Sequence, residues 1–476
     1  MSAHVFMAML AMVGLVIVAA TLLSGVIEKT GLPHVAVFLV LGASLGPFGF
    51  DLLDAQVNSP LLQIVATLSL ALVLFTDAIG LDTRELRRHV RLAVRVLGPG
   101  TLLSAGVVAV LAWWLLELSP PGAAILGAAL ASTDPVLLRG ITRRTDIDAA
   151  ARLALRLESG LNDVVLLPIV LIAVALYGGG APQLGAILLG VGVLGPVAGV
   201  VVGFVAVSAL SYLRPRTGIR RDYESIYSLG VAFTAYAAAE AVHGSGFLAA
   251  FAAGLTIVVL DVELCDCFVE YGETTSEMAL LFTFVLFGAS SIWTAFEVVS
   301  ARTLLFAVIV LLVRPVIFAV SLLGSGVKTK GRLLIGWFGP RGLSSLLLVL
   351  FPVFAGVRGA VGLFQICSLV VLASVLVHGG SLILLRRSRP RATGARAEAP
   401  PPAAPSRAAL PPIRISVADA VALHDAVFID VRKPRSAEGS TTQVAGAVRV
   451  DPEDSSVDQV SALGIAKDRP IVLYCA

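Results

Sequence analysis

The chain is 476 residues long, 57% hydrophobic and only 14% charged, with a formal net charge of +3. A soluble chain carries about 25% charged and roughly 45–50% apolar residues, so this composition excludes a wholly soluble protein. The small net charge gives no basis for nucleic-acid binding.

A helix crossing the hydrocarbon core needs about 20 mainly apolar residues. The first apolar run, 5–27, lacks a basic n-region and exceeds a signal-peptide core, so it is expected to be the first membrane helix. In chain order, about thirteen spans are predicted: 5–27, 34–50, 61–80, 96–117, 121–139, 155–176, 184–212, 225–242, 245–260, 277–293, 302–323, 331–355 and 362–385. Gly and Pro interrupt several, as at Gly42–Pro47, Thr133–Pro135, Gly244–Gly254 and Gly339–Gly342. Such breaks are tolerated at membrane depth only where the backbone packs on protein or lines a cavity. Transporters use them to build ion sites.

Basic residues cluster after alternate spans: Arg84–Arg95, Arg139–Arg156, Arg214–Arg221, Lys328–Arg332 and Arg386–Arg391. The positive-inside rule then puts the N-terminus outside and the C-terminus in the cytoplasm of a cell (inner) membrane protein. The acidic stretch Asp261, Glu263, Asp266 and Glu270 departs from this pattern. The four cysteines are sparse, and Cys265-Asp266-Cys267 lacks the two-residue spacer of a zinc or redox pair, so neither a disulfide framework nor a cofactor is expected. Three regions follow: a membrane domain (1–390), an Ala/Pro/Arg-rich spacer (391–412) and a small α/β tail (413–476) with strands at 426–432 and 470–475.

Two acidic motifs lie within apolar segments: Ser132-Thr133-Asp134-Pro135 and Glu158-Ser159-Gly160-Leu161-Asn162-Asp163. Charges at membrane depth are costly and mark ion pathways. Pro135 loosens the backbone before it and can free carbonyls. Residues four apart share a helix face, which groups Ser159 with Asp163 and Glu158 with Asn162. A sodium-sized cation takes oxygen ligands. The set expected around Na⁺ is Asp134, Ser159, Asp163 and the Thr133 carbonyl. A lone Arg341 in span twelve is severely unfavourable, so it is expected to pair with Glu158. Arg314 is expected to serve Asp77 or Glu240.

These residues, with Leu74–Asp82, Gly244–Phe251 and Gly339–Gly342, resemble the monovalent cation:proton antiporter family, in particular its NhaP-like sodium/proton exchangers. The resemblance covers about 5–385. It implies an all-α polytopic fold with inverted repeats and two crossed broken helices, and a homodimer in the bilayer. It implies a transporter rather than an enzyme, moving Na⁺ or a related cation against H⁺. Asp163 would bind cation or proton, Asp134, Ser159 and Thr133 would complete the site, and Glu158 would pair with Arg341. Asn162 before Asp163 resembles electroneutral members. A K⁺/H⁺ exchanger, or a transporter regulated by its tail, is the alternative. The tail resembles a rhodanese-like domain through Ile429–Arg432 and Val472–Cys475, with Cys475 as the nucleophile. The amide cradle that family places after its cysteine is missing here, so the tail is expected to be catalytically inactive.

Overall fold

The computed structural model describes residues 34–53, 56–81, 83–134, 138, 147–178, 184–217, 221–260 and 262–387, and in the tail 426–432, 443–444, 446–450, 463, 465 and 469–474, with isolated positions 14, 18 and 22. Apart from positions 14, 18 and 22, the first predicted span lies outside the described residues, as do Pro135 and Cys475. The chain divides into two compact units, Met1–Ser388 and Arg389–Ala476.

The first unit is helical. Its elements are α1 (His34–Leu45), α2 (Pro60–Gly80), α3 (Val90–Leu115), α4 (Pro120–Ala131), α5 (Ala149–Tyr177), α6 (Leu184–Arg214), α7 (Arg221–Ala241), α8 (Gly246–Leu260), α9 (Val262–Ala289), α10 (Ala301–Ser321), α11 (Thr329–Trp337), α12 (Leu343–Phe354) and α13 (Ala360–Arg387). Among the described residues, six helices are long and apolar enough to cross a membrane: α2, α3, α5, α6, α10 and the Ala360–Ser381 part of α13. A seventh span is reached if Thr274–Ala289 and Ser291–Val298, bent by 51°, count as one. Among the described residues the count of about thirteen is not shown: α1, α4, α8 and α12 have only 12 to 15 residues, too short to span alone at about 1.5 Å per residue, and most of the first predicted span lies outside.

The predicted span 121–139 stops as a helix at Ala131, and Ser132 leaves it in extended geometry (φ −62°, ψ 145°). The predicted span 331–355 is two helices, α11 and α12, separated by Phe338–Gly342. One apolar core joins α2, α4, α5, α9, α12 and α13 through Leu74, Leu126, Leu167, Phe287, Leu348 and Phe364. It fixes α5 against both broken segments.

The second unit holds a three-stranded parallel sheet, β1 (Val427–Asp430), β2 (Val448–Arg449) and β3 (Ile471–Tyr474), in the order β2-β1-β3. Arg432 returns to grip Asp430, with Nε on Oδ1 at 2.9 Å and Nη2 on Oδ2 at 2.7 Å.

Candidate functional site

The two helix breaks lie against each other, and each supplies what the other lacks. A helix C-terminus leaves carbonyls unpaired and carries partial negative charge; an N-terminus leaves N–H groups unpaired and is partly positive. Arg341 donates to the carbonyls of Ala131 (3.0 Å) and Ser132 (3.1 Å) at the end of α4. Asp134 accepts from the N–H of Leu343, the first residue of α12, at 3.0 Å. The Asp134 N–H donates to the Pro340 carbonyl at 3.0 Å, and Ser345 Oγ reaches the Ser132 carbonyl at 3.4 Å. Asp134 and Arg341 thus cap opposite helix ends with the favourable sign of charge. The two glycines of Gly339-Pro340-Arg341-Gly342 make this approach possible. A Cβ on Gly342 would sit 2.0 Å from Asp134 Oδ2, and one on Gly339 would sit 1.8 Å from Arg314 Nε.

The expected pairing of Glu158 with Arg341 is corrected by this geometry. Glu158, fully buried, is held by Arg314: Nη1 lies on Oε1 and Nη2 on Oε2 at 2.6 Å. Such a bidentate fork satisfies both carboxylate oxygens. Arg314 Nη2 also donates to the Ile335 carbonyl at 3.1 Å, near the end of α11, and the guanidinium lies 4.2 Å from the Phe318 ring centre. Arg341 is engaged by α4 carbonyls and cannot present the same face to Glu158. Nor does Arg314 serve Glu240, whose Oε1 instead accepts from Gly246 N–H at 2.9 Å.

Asp163 and Asn162 come from α5. Asp163 Oδ1 accepts from Ser132 Oγ at 2.5 Å, and Ser344 lies beside the same carboxylate. Thr133 Oγ1 donates to Glu158 Oε1 at 3.3 Å, so it must accept from Asn162 Nδ2, at 2.7 Å. The same Nδ2 approaches the Thr133 carbonyl at 3.5 Å. This chain of bonds turns Asn162 Oδ1 away from Thr133. Asn162 Oδ1 and Asp163 Oδ2 are then buried oxygens without a hydrogen-bond partner among the described residues. Buried acceptors are normally satisfied, because leaving one bare costs about 1–3 kcal/mol.

Of the group expected around one ion, Asp134 lies within electrostatic reach of Asp163. Ser159 shares a helix with Asp163, but its hydroxyl turns to the Arg156 carbonyl at 3.4 Å, and Asp134 Oδ2 is committed to α12. Among the described residues no group of three or more His, Cys, Asp and Glu could hold a metal ion. The hydroxyls beside Asp163 are Ser132 and Ser344. Ser132 stood inside the first acidic motif but was not among the residues proposed from it. Ser344, two residues after the Gly339–Gly342 motif, carried no sequence signal. A second unforeseen support is Ser374, whose Oγ accepts from Arg341 N–H at 2.7 Å and meets His378 Nδ1 at 3.0 Å.

Two broken segments crossing beside a buried carboxylate on a third helix are how secondary transporters build midplane ion sites. The chain is accordingly a multi-pass membrane protein of that architectural class. A profile of the family described as "Sodium/hydrogen exchanger, transmembrane" matches residues 13–386, and the chain belongs to this family. Among curated relatives, "K(+)/H(+) antiporter NhaP2" of Shewanella sp. (strain MR-4) is 26% identical over 390 residues, covering 77% of this chain and 64% of the relative. "K(+)/H(+) antiporter NhaP" of Alkalimonas amylolytica is 25% identical over 375 residues with the same coverage. The chain thus spans 64% of the length of these relatives. The solved sodium proton antiporter MjNhaP1 of Methanocaldococcus jannaschii, at pH 8, shares the fold with a TM-score of 0.64 and 22% identity, over 79% of this chain and 99% of that one.

Proposed function

We propose that the protein is a secondary transporter that exchanges a monovalent cation for protons by alternating access. The observation that carries this reading is the pair of bare buried oxygens, Asp163 Oδ2 and Asn162 Oδ1, beside the crossing. A hard monovalent cation seeks such oxygens. A proton on Asp163 removes the charge that holds the cation, so one carboxylate carries either ion and couples the two fluxes. Asp134 and Arg341 hold the crossing together, and the buried Glu158–Arg314 pair anchors α5 to α10. With Asn162 neutral and Glu158 held by Arg314, Asp163 is the one carboxylate of α5 left to carry an ion, which favours one-for-one, electroneutral exchange. Thr133, bonded to Asn162, is a further oxygen ligand beside the site, and Ser159 joins it only by releasing the Arg156 carbonyl.

The same reading assigns thirteen spans in inverted repeats, a homodimer, an outside N-terminus and a cytoplasmic tail of rhodanese-like descent. Na⁺ and K⁺ are both supported as cargo: the structural neighbour is titled a sodium proton antiporter, while the curated relatives are named K⁺/H⁺ antiporters. Proton flux in everted vesicles on adding Na⁺, K⁺ or Li⁺ tests the reading. Cation-dependent flux, unchanged by an imposed membrane potential, is expected. Absence of flux with all three ions would refute exchange, and a rate that follows the potential would refute electroneutrality.

A further inference from the structure

A cavity of about 450 Å³, its wall mainly apolar with a few polar groups, lies where α2, α5, α6, α7, α8 and α12 meet. Its residues are not those of the crossing. Leu171 and Val174 line it from α5, two to three turns beyond Asp163, and Phe351 lines it two turns beyond Leu343 on α12. Both helices place it about 12 Å or more from the crossing, at a rise of about 1.5 Å per residue. Every helix end that contributes belongs to the face opposite the basic loops.

The cavity's chemistry selects a cation. Among the described residues, Glu240 is the one carboxylate on its wall and no Lys or Arg lines it; His243 is the remaining titratable group besides Tyr236. Glu240 spends Oε1 on the Gly246 N–H at 2.9 Å, which ties its carboxylate to the start of α8. Ser245, more than nine-tenths buried, lines the same cavity, and its hydroxyl has no partner among the described residues. His243 is held at φ +58°, in the left-handed region, where the chain turns from α7 into α8. That turn brings Glu240 and Ser245 to one wall. Tyr236, Phe247 and Phe351 continue the wall as successive edge-to-face rings at 5.0 and 5.1 Å.

We propose that this cavity is a relay site, in which Glu240 and Ser245 bind the monovalent cation on the face opposite the basic loops before it passes to Asp163. The proposal rests on the exchange reading above. Glu240→Gln keeps an oxygen for the Gly246 N–H and removes only the charge. With cation supplied from that face of oriented vesicles, its exchange rate at low cation should fall about fivefold, the worth of one charge contact near 4 Å in a water-like medium, and should recover at saturating cation. An unchanged concentration dependence, or a lowered maximal rate with the same half-saturation, would overturn the relay. Tl⁺ binding to the purified full-length Asp163→Asn protein separates the two ideas. One bound Tl⁺ that is lost on adding Glu240→Gln supports the relay, and no bound Tl⁺ overturns it. Absent flux in the wild type refutes exchange instead.

Discussion

Glu158 and Arg314 form a fully buried ion pair, and removing one member should be far worse than removing both. Arg314→Met strands a carboxylate that is 0% exposed. Breaking a buried pair in this way costs about 3–5 kcal/mol, whereas replacing both charges with apolar groups of similar volume is often close to neutral. Unfolding entropy of about 2.1 cal/mol/K per residue gives, for 476 residues, about 1 kcal/mol per degree. Arg314→Met should therefore lower Tm by about 3–5 °C. Glu158→Leu should do the same by stranding the guanidinium, and the double variant should lie close to the wild type, about 6–10 °C above additivity. Thermal unfolding of the detergent-purified variants measures this cycle. A parallel cycle of Glu158→Leu with Arg341→Met should show much smaller coupling, because Arg341 binds the Ala131 and Ser132 carbonyls. Strong coupling to Arg341, with additivity at Arg314, would refute the assignment.

Three further outcomes are expected. Gly342→Ala and Gly339→Ala drive a Cβ into Asp134 and Arg314; each should cost at least about 1–3 kcal/mol and abolish exchange, read as Tm and vesicle flux, and normal behaviour of both would refute the crossing geometry. Ser132→Ala removes the hydroxyl on Asp163 Oδ1, so the half-saturating cation concentration should shift by about threefold to tenfold for a lost hydrogen bond of about 0.5–1.5 kcal/mol, while Ser159→Ala should shift it less. In the tail, the Arg432 guanidinium holds the Asp430 carboxyl below the usual carboxylate range. A depressed folded-state value means that this stabilisation is present at neutral pH and fades as pH falls through that value. Limited proteolysis of the full chain should accordingly cut the tail faster in acid, and Asp430→Asn should be cut readily at both pH values.

The sequence carried the fold because hydrocarbon thickness sets helix length, so apolar runs from 34 to 385 located every described α-helix of the membrane unit except the short Thr83–Arg88 turn. It also located the breaks, since Thr133–Pro135 and Gly339–Gly342 announce them by composition. The number of full spans was less legible, because a half-helix and a whole span differ in length but not in hydrophobicity. Partner choice was the least legible of all. Arg314 and Arg341 are both lone bases beside a proline, and only the packing of α10 against α11 and α5 directs Arg314 to Glu158. The hydroxyls beside Asp163 were hidden for the same reason: Ser132 and Ser344 meet there through the crossing, not through helical periodicity. Ser159, four residues from Asp163, satisfied the periodicity argument, yet its hydroxyl bonds its own backbone, as serines in helices commonly do.

In the proposed exchange one carboxylate, Asp163, carries either cation or proton. The most direct test is cation-induced proton flux in vesicles containing equal amounts of wild-type and Asp163→Asn protein, across Na⁺, K⁺ and Li⁺. Flux is expected in the wild type and none in Asp163→Asn, with the variant still folded by its Tm. Full exchange by Asp163→Asn would contradict this role of Asp163.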